Sequence, residues 1–167
     1  MSISLYAAST PLFVRQLGAM LTWLDKAQAH AEARKFSPDN YLGLRLAPDM
    51  LAFTRQIQIA TDTVKGCMAR LAGAEPPKWD DNEATLDDLR GRIRKTIDYL
   101  QSVPASDIDG NEALEIVLPM RVGDPLHFTG VSYLQQFVLP NFFFHATTAY
   151  ALLRHAGVEL GKRDYMG

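Results

Sequence analysis

Residues 48–72 read PDMLAFTRQIQIATDTVKGCMARLA, and the apolar side chains in this stretch recur at steps of three and four. That spacing lines them up on one face of a helix, as in a helix that packs against neighbours in a bundle. The apolar stripe consists of Phe53, Ile57, Ala60, Val64, Cys67 and Leu71. Pro48 suits a first helical turn and Gly73 suits a helix end, so we predict a helix over 48–72. The opposite face is predicted to be solvated and carries Thr54, Arg55, Gln58, Asp62 and Lys65.

Three further segments with the same periodicity complete a four-helix pattern: 10–34, 85–102 and 132–156. In the first of them, Thr10 and Pro11 fit an N-cap and a first helical position, although the helix can begin as far back as Ser4. In the third helix of the chain, Thr85 is a candidate N-cap, and Asp88 three residues on completes a variant of the capping box. The four segments predict an all-α fold.

The connection before the last helix is long and runs from Ser106 to Gly130. Residues 116–118 and 126–128 can pair as a short β-hairpin across 121–124, and such a hairpin would fix the crossover. The last helix contains Pro140, which removes one backbone hydrogen bond and costs about 3 kcal/mol unless packing holds a kink. We therefore predict one domain over residues 1–167, a four-helix bundle with a long crossover and a possible β-hairpin before the last helix.

The composition restricts the class of protein. A length of 167 residues with 47% hydrophobic residues is that of one compact domain with its own core. Seventeen Lys and Arg against 19 Asp and Glu argue against binding to nucleic acid and against a polybasic membrane anchor. The strongest apolar stretch, 137–144, is far shorter than the roughly 20 residues that span a bilayer. No targeting segment is evident and a single cysteine excludes an intrachain disulfide, so we expect a cytoplasmic protein.

Several side chains capable of chemistry are predicted to have structural roles. Cys67 belongs to an apolar stripe and is expected to be inert core. His30 and His127 have no evident partner and are expected at an exposed helix end and in a loop. The basic run of the third helix is predicted to be a solvated face that nearby aspartates balance. It consists of Arg90, Arg92, Arg94 and Lys95.

Four polar residues fall within the apolar faces of two helices. Asn141, His145 and Thr148 share one face of the last helix, and Gln56 lies beside the apolar stripe of the second helix. A buried amide needs partners because an unsatisfied one costs about 1–3 kcal/mol. We therefore predict that Gln56, Asn141 and His145 converge between helices two and four. The cluster is either a polar network that supports the core or the base of a small-molecule or metal pocket.

Aromatic residues near the ends of helices one and four exceed what one core of this size is expected to hold. They are Trp23, Phe36, Tyr41, Phe142 and Phe143. Some of them are therefore predicted to meet a second copy of the chain, which would make the protein a homodimer.

Six motifs are distributed along nearly the whole chain: TRQIQIATD at 54–62, WDDNEAT at 79–85, RIRKTIDYL at 92–100, LPNFFFH at 139–145, TAYALLRHAG at 148–157 and LGKRDY at 160–165. With these motifs the sequence resembles an uncharacterised bacterial family, a domain of unknown function that is a distant branch of the DinB/YfiT-like four-helix bundles. The resemblance implies an up-down-down-up helix order, a long link before the last helix and, usually, a homodimer.

Better-known members of that superfamily bind a divalent metal through three histidines, and some are transferases that use bacillithiol or mycothiol. The resemblance places His145 at one ligand position, and Asn141 and Gln56 at the other two. Neutral amides are poor ligands for zinc or nickel, so we expect no metal and no other cofactor.

Two functions are therefore open. The first is a non-enzymatic helical dimer that binds a small molecule in a pocket above the polar cluster. The second is a metal-dependent, thiol-using transferase with altered ligands, in which His145 holds zinc or nickel together with carboxylates of the crossover, or acts as a general base. The candidate carboxylates are Asp107, Asp109 and Asp124.

Overall fold

The computed structural model describes residues 3–120 and 122–167. In chain order the helices and strands are α1 (Leu5–Ala33), a 3-10 helix (Pro38–Tyr41), α2 (Phe53–Leu71), α3 (Leu86–Ser102), α4 (Ala105–Ile108), β1 (Glu115–Leu118), β2 (Leu126–Thr129), α5 (Gly130–Ser132), a π-helix (Tyr133–Val138), α6 (Leu139–His155) and α7 (Lys162–Met166).

The four long helices pack side by side in the cyclic order α1, α3, α2, α6, each against its two neighbours. Helices α1 and α2 lie diagonally across the bundle from each other, as do α3 and α6. The chain segments that connect α1 to α2 and α3 to α6 are therefore long. Large side chains fill the centre: the rings of Phe13 on α1 and Phe142 on α6 meet edge to face with centroids 5.2 Å apart. The prediction of an all-α four-helix bundle with a long crossover is confirmed.

The first helix begins at the earlier of the two predicted starts, whereas the second begins later than predicted. Helix α1 begins at Leu5, because Ser4 caps it by accepting a hydrogen bond from the Ala7 amide. Thr10, the predicted N-cap, is instead buried within the helix. Helix α2 begins at Phe53, five residues after Pro48. The chain before it turns back, and the Phe53 amide donates to the Leu44 carbonyl at 2.8 Å.

The predicted fourth helix is three helical pieces in succession. Between α5 and α6 the backbone widens into the π-helix, and the Leu139 amide bonds to the Leu134 carbonyl five residues back. Pro140, which has no amide hydrogen, follows directly at the start of α6. The wider turn thus lies where a regular helix would have lost a hydrogen bond.

The β-hairpin in the crossover is confirmed. Strands β1 and β2 pair antiparallel with Ile116 opposite Phe128. One residue of the predicted turn, Arg121, lies outside the described residues. The hairpin leads into α5 through a close approach, since a Cβ atom at Gly130 would lie only 2.2 Å from the Asn111 carbonyl oxygen. Only glycine fits there.

Two predicted solvated faces are partly covered. Gln58 is 2% exposed and Lys65 is 6% exposed, because residues 78–85 fold over this side of α2. Arg90 and Arg92 of α3 are buried as well, each held by carboxylates. A hydrophilic residue lies inside when the chain supplies partners for its charge.

The aromatic residues that were expected to exceed the core all pack within one chain. Trp23, Tyr41 and Phe142 are buried, while Phe36 and Phe143 lie partly buried against the core. The excess that predicted a dimer is therefore absent. His30 also has a partner, because its Nδ1 lies 2.6 Å from the Tyr41 hydroxyl.

The short helix α7 is fastened along α1. The Trp23 indole donates to the Asp164 carbonyl at 2.7 Å, and the Arg15 guanidinium donates to the Gly167 carbonyl at 2.8 Å. The ring of Tyr165 stacks on that of Trp23 with centroids 5.6 Å apart. Across residues 3–120 and 122–167, none of the helices has the length and apolar character that a membrane crossing demands.

Candidate functional site

A buried hydrogen bond joins the first turn of α2 to α6. His145 Nδ1 lies 2.7 Å from Gln56 Oε1, and both residues are at least nine-tenths buried. The other end of the Gln56 amide, Nε2, donates to the Leu51 carbonyl at 2.9 Å, just before α2 begins. The connection ahead of α2 thus orients Gln56, and Gln56 orients the imidazole.

This arrangement selects one protonation state of His145. The Leu51 carbonyl can only accept a hydrogen bond, so the Gln56 amide must turn its nitrogen toward Leu51 and its oxygen toward the ring. An oxygen facing Nδ1 requires the proton on Nδ1, which leaves Nε2 of the neutral ring with a lone pair. Burial, and after it the positive charge of Arg55, lower the pKa of His145 and favour the neutral ring.

The lone pair on His145 Nε2 is open. Among the described residues, Arg92 Nη2 is the one fully buried side-chain nitrogen or oxygen without a hydrogen-bond partner. His145 Nε2 also has no hydrogen-bond partner among residues 3–120 and 122–167. Since it is not one of the fully buried atoms, it remains in contact with solvent. The ring of Phe144 stands perpendicular to the imidazole with centroids 5.2 Å apart and limits its movement.

The remaining predicted site residues do not join this pair. Asn141 donates from Nδ2 to Thr63 Oγ1 at 3.0 Å, and the Thr148 hydroxyl donates to the Phe144 carbonyl one turn back. The two contacts between the helices, 56 to 145 and 63 to 141, show that α2 and α6 run antiparallel. Seven residues along α2 correspond to about 10 Å. Asn141 therefore meets α2 two turns away from Gln56.

These residues do not fit a three-ligand transition-metal site of the kind the resemblance implies. Gln56 Oε1 faces the protonated nitrogen of His145, and Asn141 points to Thr63, so the three side chains do not share a centre. The described residues contain no group of three or more His, Cys, Asp or Glu that could hold a metal ion. Of the crossover carboxylates, Asp109 accepts a hydrogen bond from the Tyr6 amide at the start of α1.

A second polar cluster, which the sequence did not predict, centres on Arg92. Its Nε donates to Thr61 Oγ1 at 2.8 Å and its Nη1 donates to Glu83 Oε1 at 2.9 Å. Asp81 Oδ1 lies 3.0 Å from Nη1, and Asp62 Oδ1 lies 2.9 Å from Nη2 in a geometry that makes no hydrogen bond. One guanidinium thus holds α3, α2 and the 79–85 loop together. The WDDNEAT motif was the signal, since it supplies two of the carboxylates.

The same loop is anchored by an aromatic ring. Two ammonium groups lie over the ring of Trp79, with Lys65 Nζ 4.4 Å and Lys95 Nζ 4.6 Å from its centroid. Gln58 donates to Glu83 Oε2 at 2.6 Å, which adds a further contact between α2 and the loop.

Arg55 links this cluster to the His145 pair. Its Nη1 lies 2.6 Å from Gln58 Oε1 and 2.5 Å from Asp81 Oδ2, while its charge acts on His145. Burial alone would raise the pKa of Asp81, but its hydrogen bonds and ion pairs with arginines outweigh burial and lower it. Arg55 is therefore bound to Gln58 and Asp81, and its positive charge also acts on His145.

The DUF1993 family, described as a domain of unknown function, matches residues 5–166. The chain belongs to the DUF1993 family. This DUF1993 chain is similar to the crystal structure of a DinB family member protein from Shewanella denitrificans, with 41% sequence identity and a TM-score of 0.88. The similarity covers 98% of the DUF1993 chain and 92% of the other. No curated protein matches the chain. The resemblance to a DinB-like family of unknown function is confirmed.

Proposed function

We propose that this DUF1993 protein binds a small molecule at His145, between α2 and α6, and that it does so without a metal. The observation that carries the proposal is the tautomer that Gln56 imposes on the buried imidazole. A fixed, neutral ring with a free lone pair on Nε2 accepts a hydrogen bond from a ligand hydroxyl or amide. Arg55 already pairs with Asp81, so the main contact of the ligand is the hydrogen bond to Nε2 and a negative charge on the ligand is secondary.

We extend the proposal to the cellular compartment and the oligomeric state of the protein. A cytoplasmic setting is supported by the single cysteine of the chain, Cys67, which is free and fully buried. A homodimer is supported by the family resemblance and by an apolar groove of about 460 Å³ on α1, α6 and α7. Leu12 and Met166, which line this groove, are 37% and 53% exposed.

The first test is spectroscopic. Long-range 1H–15N spectra of the protein show which ring nitrogen of each histidine carries the proton, and we expect Nδ1 for His145. A protonated Nε2 would remove the lone pair on which the proposal rests.

The second test is a thermal-shift screen of small hydrogen-bond donors, with and without an acidic group. Compounds that stabilise the wild-type protein should lose this effect in His145→Phe, which keeps an aromatic ring but has no nitrogen lone pair. His155→Phe, the same change at an exposed position of the same helix, is the matched control and should keep the wild-type response. Equal responses in both variants, or no stabilising compound, would contradict ligand binding at His145.

A further inference from the structure

A cavity with basic side chains in its lining lies near the C-terminal end of α6, away from His145. This cavity of about 470 Å³ opens where α1 and α6 end, and it lies ten or more residues along α6 from His145, about 15 Å away. It is lined by Lys26, Ala29, His30, Ala33, Arg34, Gly157 and Glu159. Its volume is in the range of small-molecule pockets.

The lining has a regular pattern on α1. Lys26, His30 and Arg34 follow one another at steps of four, so their side chains rise on one face of the helix. Ala29 and Ala33 lie beside them and leave open, apolar space between the basic side chains. The cavity therefore combines an apolar floor with a basic rim.

His30 is held in place from behind. Its Nδ1 lies 2.6 Å from the hydroxyl of Tyr41, which is 2% exposed, and its ring meets that of Phe36 edge-on. Burial raises the pKa of Tyr41, so its phenol stays protonated and can donate to Nδ1. A neutral ring that accepts at Nδ1 carries its proton on Nε2. That nitrogen is on the Gly157 side, since a Cβ atom at Gly157 would lie 3.5 Å from it.

The basic side chains that line the cavity differ in whether they already have an acidic partner. Lys26 Nζ already pairs with Asp164 at 2.6 Å and donates to the Glu159 carbonyl. Arg34 is exposed and forms no ion pair with any residue of 3–120 or 122–167. The Glu159 side chain is the one acidic group in the lining. Arg34 is therefore the cation available to a ligand.

We propose that this cavity binds a small organic carboxylate with an apolar body. The carboxylate receives hydrogen bonds from the Arg34 fork and from His30 Nε2, as guanidinium and carboxylate match in geometry. The apolar body lies against Ala29, Ala33 and Gly157. Tyr41 is a positioning residue, because it fixes the proton of His30 without touching the ligand.

The test uses sodium benzoate as probe and 1H–15N spectra of the intact protein as readout. Benzoate should shift the amide signals of His30, Arg34 and Gly157, and benzamide, a neutral molecule of the same shape, should shift them far less. Arg34→Glu should weaken benzoate binding about tenfold or more, since an attractive charge becomes a repulsive one. Arg94→Glu makes the same change at an exposed position of α3 and should leave the affinity unchanged.

The Tyr41→Phe variant distinguishes a role of Tyr41 in positioning His30 from a role in supporting the fold. We expect weaker benzoate binding together with a change of the proton-bearing nitrogen of His30 in long-range 1H–15N spectra. The proposal is wrong if benzamide binds as well as benzoate, if Arg34→Glu binds like the wild type, or if benzoate causes no shifts at tens of millimolar. Inorganic phosphate that binds as tightly as benzoate would contradict the apolar body of the ligand.

Discussion

The Nε atom of Arg92 lies 2.8 Å from the hydroxyl oxygen of Thr61, and this hydrogen bond joins α3 to α2 inside the protein. The rest of the guanidinium meets three carboxylates, of which Glu83 is the most buried. A buried cation with this many partners is costly to leave incomplete, because each remaining carboxylate would be stranded without its counter-charge.

We therefore expect Arg92→Leu to lower the free energy of unfolding by about 2–4 kcal/mol, somewhat less than for a fully buried pair because Asp62 and Asp81 are partly exposed and can rehydrate. Urea denaturation measures the change. Arg94→Leu, two residues along α3 and exposed, should change stability by less than about 0.5 kcal/mol. Similar effects of both substitutions would show that the carboxylate cluster contributes nothing.

Gln56→Leu should destabilise the protein by about 1–3 kcal/mol, because His145 Nδ1 loses its acceptor in a buried position. His145→Ala should cost a similar amount, and the double variant should cost less than the sum of the two. Urea denaturation of the three variants forms the cycle. The exposed Gln101→Leu serves as the control. Strict additivity would mean that the two side chains do not interact.

The pH dependence of stability should contain a contribution from His145. Its pKa in the folded protein is lower than the ordinary value of 6.5, so the unfolded chain binds the proton more readily. The stability that this residue contributes is complete above about pH 6.5 and is lost as the pH falls through the lower, folded pKa.

Thermal or urea unfolding of the wild type and of His145→Gln between pH 7.5 and 5 measures this contribution. The wild type should lose more stability on acidification than the variant. Asp81 and Glu83, whose pKa values are lowered, act at more acidic pH and are common to both proteins. Parallel curves would show that His145 titrates alike in the folded and unfolded chain.

If the chain is a homodimer through the groove on α1, α6 and α7, light scattering at micromolar concentration should give about twice 18.6 kDa. Leu12→Glu should then reduce the mass to that of one chain, since it places a charge in the groove. Val122→Glu, at the 88% exposed end of the hairpin, is the control and should remain dimeric. A monomeric wild type would refute the dimer.

Elemental analysis should find far less than one zinc or nickel per chain in protein purified without an affinity tag, because the amides of Gln56 and Asn141 do not face a common centre with His145. Near-stoichiometric metal that is lost in His145→Ala, but kept in His155→Ala, would favour the metal-dependent transferase instead.

The sequence predicted those features that depend on one helix at a time. The stripe from Phe53 to Leu71 predicted which face of α2 is buried, and the Thr85 capping box is present with Asp88. Prediction from the sequence failed where a segment distant in the chain covers a residue. Gln58 is polar, and the periodicity places it on the face of α2 opposite the apolar stripe, yet the loop at 79–85 covers it.

The same limit applies to the site. The pairing of Gln56 with His145 follows from their positions on apolar faces, but the separation of Asn141 depends on the antiparallel alignment of α2 and α6, which no local pattern contains. The π-helix ahead of Pro140 also escaped prediction, because the hydrophobic pattern of a wider turn differs from that of an α-helix by a single residue.

The fastening of α7 to α1 sets an order of events during synthesis. The indole of Trp23 receives its acceptor from Asp164, 141 positions later in the chain. On the ribosome, α1 therefore emerges well before residue 164, and its indole gains this acceptor only after Asp164 has been made. A nascent chain that stops short of Asp164 would leave the indole without this acceptor and without the stacked ring of Tyr165.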